Sequence, residues 1–319
     1  MSRPARGSVR RSARGALRVV FLLAALGFGG WAVAREWDAV VAGFARLSWQ
    51  SLALSVAGVV AALCGGMLTW RALLADLGSP LPVRRAAKVF FVGQLGKYIP
   101  GAVWPMLAQM EMGRDLGIPR PRSAAAFFLT LPVQLGSGLL VAAVTLLTAG
   151  PGAFPYAWAL LLVPVLAVLL EPRVINAVIA FGLRRLGRPP LERELTRRGM
   201  LTALGWALAG WIAYGLSLAA ILTEVRPGGA GIVVFSVGAF ALSWCLGIMT
   251  FVVPAGAGVR EVAMVVVLSP VLDQGTALAV ALCSRMVIVA GDLICAGSAA
   301  VVARSVFHPR KDDSPRNAM

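Results

Sequence analysis

An all-α fold, set in a membrane as a polytopic helical bundle, is predicted by three observations. The 319-residue chain is 59% hydrophobic and only 14% charged. Its mean hydropathy of +0.81 lies above the range of water-soluble domains. Several apolar runs approach the ~20 residues that a helix needs to cross a ~30 Å hydrocarbon core. Ten-residue stretches of alternating polarity, the mark of a membrane barrel, do not occur.

The charge pattern narrows the class further. The net charge of +16 comes from basic residues in short loops beside apolar runs, which is the pattern of membrane topology and not of a nucleic-acid-binding face. No nucleic-acid partner is expected. Cys64, Cys245, Cys283 and Cys295 all fall in apolar segments without a Cys-x-x-Cys pair, and they read as small core residues. The single histidine, His308, lies in the polar tail. A histidine-based metal site or catalytic dyad therefore has no material, and no metal, cofactor or catalytic residue is expected.

The elements follow in order. Residues 1–16 form a basic tail, and residues 17–34 a first span that runs past signal-peptide length without a small-x-small cleavage site. The positive-inside bias puts the N-terminus in the cytoplasm. Residues 49–74 make the second span, and Arg71, Arg84, Arg85 and Lys88 mark the next loop as cytoplasmic. Residues 89–112 have basic flanks on both sides, the far one holding Arg114, Arg120 and Arg122, so the segment should enter and leave on one face. Its two arms of about ten residues reach only ~15 Å, roughly the bilayer midplane. That geometry describes a re-entrant hairpin.

Further spans are expected over residues 123–148, 156–170, 200–223 and 275–303, which makes about six full spans. An arginine-rich cytoplasmic loop between 173 and 198 is partly a surface amphipathic helix. Residues 231–272 are too apolar to leave the membrane but are interrupted by "VVPAGAGVREV". For the last span to finish inside beside Arg304, Arg310 and Lys311, this segment must begin and end outside. It is a second broken hairpin, inverted relative to the first. Broken segments in both halves, entering from opposite faces, point to an inverted repeat with a site at the midplane. The transmembrane domain is placed at 17–304 and a disordered cytoplasmic tail at 305–319.

The breaks hold the candidate site. In "VGQLGKYIPGAVWP", Pro100 cannot donate its backbone hydrogen bond and Gly101 permits irregular backbone. The freed polar groups must meet protein or water, so the break belongs beside a cavity. Gln94, Lys97, Tyr98 and Glu111 are expected near it. A membrane-embedded charge is a functional candidate at ~2.5 to 3.5 kcal/mol, although Lys97 could instead snorkel to the headgroups. In the second hairpin Pro254, Gly256 and Gly258 precede Arg260 and Glu261. A helix starting near Val259 would aim its free N–H groups inward, and Arg260 adds a full charge, an arrangement suited to an anion. The alternative is that Arg260 and Glu261 pair with each other, or with Lys97 and Glu111, as structural glue. Arg285 and Asp292 lie two turns apart and share one face, either lining the cavity or locking their helix to the hairpins. Gln109 and Gln134 could bond a polar headgroup, or glue helices together. Trp31, Trp49 and Trp158 near span ends read as interface anchors.

"GQLGKYIPGAVWP" and "FVVPAGAGVREVAMVVVL" resemble the flippase-like transmembrane domain of lysylphosphatidylglycerol synthases. The resemblance covers residues 17–304, and its most specific parts are Lys97-Tyr98-x-Pro100-Gly101 and Pro254-x-Gly256-x-Gly258-x-Arg260-Glu261. It implies a multi-pass plasma-membrane protein, and the fused relatives move aminoacylated phospholipid between leaflets. Those relatives make the lipid in a soluble C-terminal domain; only a short tail follows the last span here, so the synthase activity is not expected. The first motif departs from the commoner family form, having Val103, Trp104, Pro105 and Gln109 where a polar Gly-Glu and an arginine are usual.

The expected function is a lipid translocase moving a phospholipid or polyprenyl-phosphate-linked headgroup through a midplane cavity. Arg260, the helix start after Gly258 and Lys97 would hold phosphate, with Glu111, Glu261 and Asp292 countering a cationic headgroup or balancing the arginines. Two alternatives stand beside it. A membrane-embedded transferase would need a base and a metal-binding carboxylate pair, for which only Glu111 with Asp115, or Glu192 with Glu194, come close; both read better as surface charges. A non-transporting scaffold for a lipid-modifying enzyme is the other. The partners expected are membrane lipids, and such an enzyme.

Overall fold

Two of the long helices start at a side-chain cap, Ser48 and Thr196, and these caps also tie the two helices to one another. The computed structural model describes residues 41, 45, 47–98, 103–149, 164, 165, 168, 170–185, 187, 192–249 and 258–306, with the backbone alone over 302–306. Among these residues it holds nine α-helices and no strand. Helix α1 is Trp49–Asp76, α2 Val83–Gln94, α3 Trp104–Arg114, α4 Arg120–Ala149 and α5 Pro172–Arg185. Helix α6 is Arg197–Val225, α7 Ala230–Met249, α8 Val259–Leu268 and α9 Gln274–Val306. A 3₁₀ turn, Leu95–Tyr98, continues α2.

Five of these helices are long and apolar enough to cross a membrane: Trp49–Asp76, Arg120–Thr148, Arg197–Val225, Ala230–Met249 and Gln274–Val301. Four coincide with expected spans, so the chain is an all-α, multi-pass membrane protein. The expected spans at 17–34 and 156–170 lie wholly or mostly outside the described residues. The fifth long helix, α7, is a difference. The sequence places it within a broken hairpin over residues 231–272, yet its 20 residues cover ~30 Å, the thickness of a hydrocarbon core. No proline or charged residue interrupts the run from Ala230 to Met249, so nothing in it stops the helix. Its partner α8, at 10 residues, spans only ~15 Å. The first broken unit has nearly equal arms, of 12 residues in α2 and 11 in α3.

Helices α1 and α6 run antiparallel and are fastened at both ends. The Ser48 hydroxyl caps α1 by accepting from Ser51 N–H at 3.1 Å, and it donates to Glu224 near the end of α6 at 2.7 Å. At the opposite end Asp76 accepts from the Thr196 N–H at 2.6 Å and its hydroxyl at 2.8 Å, while Thr196 caps α6 by accepting from Gly199 N–H. Between the ends the helices approach closely because small residues face each other. A Cβ on Gly65 would lie 3.0 Å from the Gly210 Cα, which is the small-residue packing membrane helices use where apolar burial supplies little drive. Buried Ser55 and Ser217 share a hydrogen bond of 2.9 Å across the same seam.

The core runs through α1, α4, α6, α7 and α9 and includes Trp70, Trp211, Phe235 and Phe240. Cys245, Cys283 and Cys295 are buried free thiols within it, and Cys64 is half-buried. Trp49 is exposed at the start of α1, where an indole suits the membrane interface; Trp31 and Trp158 lie outside the described residues. Helix α5 is amphipathic and ends in Arg184 and Arg185, in keeping with a helix lying on the membrane surface.

Candidate functional site

Helix α9 carries the site, because it reaches both broken units. Toward the first, Asp292 is 5% exposed and accepts from Lys97 Nζ at 2.8 and 2.7 Å and from the Tyr98 hydroxyl at 2.6 Å. The 3₁₀ turn makes this possible. By tightening the backbone after Gln94, it presents the consecutive Lys97 and Tyr98 to one carboxylate. Gly96 lets the turn approach α3, since a Cβ there would lie 2.9 Å from Pro105 N.

Toward the second unit, Arg285 donates from Nη1 to Glu261 Oε1 at 3.2 Å. The other oxygen of Glu261 accepts from Gly258 N–H at 2.6 Å, a carboxylate at the third position of α8 reaching back over its own start. Gly258 holds φ at +85°, a left-handed conformation that glycine adopts without penalty. Seven residues separate Arg285 from Asp292, about 10 Å of helix rise. One face of α9 therefore ties both breaks.

Arg260 differs from the other charges. It is 9% exposed, its guanidinium carbon lies 4.7 Å from the Phe240 ring centroid, and its Nη2 is buried without a hydrogen-bond partner. Phe240 in turn stacks on Tyr214 at 4.5 Å and 13°. Gly247 of α7 makes room for the arginine, because a Cβ there would lie 2.9 Å from Arg260 Cβ. A cation–π contact yields ~0.5 to 2 kcal/mol, less than the several kcal/mol that desolvating a guanidinium costs. Arg260 therefore faces inward with part of its hydrogen-bonding capacity unused. It lines a narrow cleft of about 10 Å³ with Glu261, Met264, Ala281, Ser284 and Arg285. The cluster holds three cations, Lys97, Arg260 and Arg285, against two carboxylates, Glu261 and Asp292.

A larger groove of about 420 Å³ between α4, α5 and α6 is lined mainly by apolar side chains, and its two charges, Glu171 and Arg197, pair at 3.0 Å. The unpartnered guanidinium nitrogen lies at the smaller cleft.

The structure thus brings together Lys97, Tyr98 and Asp292 on one side of α9, and Gly258, Arg260, Glu261 and Arg285 on the other. Gln94 is half-buried at the end of α2. Pro100, Gly101, Pro254 and Gly256 lie outside the described residues. Glu111 is a correction. It does not join the buried cluster; its side chain is 53% exposed and pairs with Arg114 at 3.2 Å and with Arg120. The buried face of α3 is Pro105, Gln109 and Gly113, and Glu111 projects about 200° around the helix from Gln109. The pairing of Arg260 with Glu261, the structural alternative, does not form either: Glu261 engages Arg285 and its own helix start. Phe240, Tyr214, Gly247 and Ser284 were not foreseen. An aromatic or glycine inside an apolar helix reads as core, so no sequence signal marks the first three. Ser284 could have been suspected from its position beside Arg285.

Fold and site together define a polytopic α-helical membrane protein whose buried charges gather at two helix interruptions. The chain belongs to the family described as Lysylphosphatidylglycerol synthase TM region, which matches residues 16–296. That membership ties it to lipid modification or translocation in a membrane. Compared with the curated proteins, the chain matches none.

Proposed function

We propose that the chain is a lipid translocase, moving a phospholipid or lipid-linked headgroup between leaflets while the acyl tails stay in hydrocarbon. One observation carries this reading: Arg260, buried at the start of α8, has an unpartnered Nη2 beside a polar cleft. A guanidinium so placed suits a phosphate oxygen, which would also meet the N-terminal end of α8. The cleft, with about 10 Å³ of free space, is far smaller than a phospholipid headgroup, so entry requires the broken segments to part. Lys97 and Arg285 are held by carboxylates until then, which keeps each charge compensated. In this reading no covalent step occurs, and the interior charges lower the cost of a polar head in hydrocarbon. The protein lies in the plasma membrane with both termini in the cytoplasm. Its partners are membrane lipids and, upstream, a lipid-modifying enzyme.

The test is leaflet-resolved movement of an anionic phospholipid in reconstituted vesicles. Arg260→Gln removes a charged hydrogen bond of ~1.5 to 3 kcal/mol and should slow movement about 10- to 100-fold with unchanged insertion. Wild-type rates in the variant would remove Arg260 from the site. No movement by the wild-type protein would end the translocase reading.

A further inference from the structure

The first broken unit holds a polar side chain that the charged cluster does not use. Gln109 of α3 is 1% exposed, and neither its Nε2 nor its Oε1 has a hydrogen-bond partner. Its stem packs on α2, where a Cβ on Gly93 would lie 2.9 Å from Gln109 Cγ. With Pro105 and Gly113 it forms the buried stripe of α3. One end of that stripe abuts Gly96, next to Lys97. At the other end a Cβ on Gly113 would lie 2.8 Å from the Ser123 hydroxyl, which is also buried without a partner.

A primary amide offers two donors and two acceptor lone pairs, and burying all of them unpaired is destabilising. Leucine or methionine would fill the same volume without that loss. Packing alone therefore gives no reason for glutamine at this position. The unpaired groups here are neutral, unlike those around Arg260. A charged ligand group facing them would be desolvated without a counter-charge, whereas a hydroxyl or another neutral hydrogen-bonding group would satisfy donor and acceptor together. We infer that Gln109 is a further headgroup contact in the first broken unit, binding a neutral hydroxyl-bearing part of the translocated lipid. This inference rests on the translocase reading. Sites built to hydrogen-bond a hydroxyl discriminate strongly against ligands that lack it, so Gln109 is a determinant of which lipid is taken.

The experiment uses the purified full chain in detergent and two short-chain lipids: phosphatidylglycerol, whose headgroup carries hydroxyls, and phosphatidic acid, which has the phosphate alone. Thermal unfolding and binding are measured for the wild type, Gln109→Leu, Gln109→Met and Arg260→Gln. The expected result has three parts. The wild type prefers phosphatidylglycerol by about tenfold in Kd, the effect of one neutral hydrogen bond. Both Gln109 variants lose that preference while binding phosphatidic acid as before. Both also unfold at a higher temperature than the wild type, because an unpaired buried amide has been removed. A lower unfolding temperature in both variants would mean that water already satisfies the amide, and would overturn the inference. So would a preference retained in the variants or absent from the wild type. Arg260→Gln reports separately on the translocase reading, since unchanged binding of both lipids there would fail the phosphate site while leaving the Gln109 comparison readable.

Discussion

Buried charge is the most expensive feature of this molecule, and its residues share the cost unequally. Asp292 compensates Lys97 and accepts from Tyr98 as well. Removing one partner should therefore cost more than removing both. Asp292→Leu is expected to destabilise by ~3 kcal/mol, the low end for breaking a buried pair because Lys97 keeps some exposure. The double variant Lys97→Met with Asp292→Leu should recover most of that in denaturant unfolding; a double-variant loss equal to the sum of the two single losses would show that the pair is not coupled. Asp273, at the start of α9 and outside the spans, behaves differently. The Thr276 N–H donated to it at 2.9 Å holds its carboxyl below the usual carboxylate range. A depressed carboxylate contributes stability above the ordinary aspartate range and loses it as pH falls through its own lower value. The exposed site makes the effect small, so Asp273→Asn should flatten only the acid end of the stability–pH curve.

At the scale of the element, glycine positions decide how near the helices come. A Cβ on Gly215 of α6 would lie 2.4 Å from the Val237 Cα of α7, whereas one on Gly205, in the same helix, meets nothing within 4 Å. Alanine is the better helix former by ~1 kcal/mol. Gly205→Ala should thus raise the unfolding temperature, and Gly215→Ala should lower it through overpacking of ~1 to 3 kcal/mol. Opposite signs from one substitution type would identify contact, not propensity, as the cause. Much at this scale was legible in the sequence. Apolar length located α1, α4, α6 and α9, and the proline and glycine clusters located both interruptions. The length of α7 was not legible as a separate helix, because an apolar run of uniform hydropathy carries no mark of where one arm stops.

For the whole molecule, the sequence pointed to charges at two breaks but not to their partners. Pairing depends on which helix faces which, and nothing in the spacing of Arg285 and Asp292 states that α9 serves both units. Glu111 shows the same limit: its position in the apolar stretch suggested burial, while the turn of α3 sends it to Arg114 and Arg120. Gln109 shows the converse, a residue that looked like helix glue and bonds to no protein group. The architecture that results is two interrupted units joined through one face of α9, with Arg260 as the charge whose Nη2 has no protein partner.

The central claim is that the two interruptions open toward opposite sides of the membrane, the second from outside even though α7 is long enough to span the core. Single cysteines at Ala102 and Ala257, introduced into a chain lacking Cys64, Cys245, Cys283 and Cys295, can be labelled with a membrane-impermeant thiol reagent from each side in turn. The account predicts that position 102 is labelled from the cytoplasm and position 257 from outside. Labelling of both from the same side would contradict it.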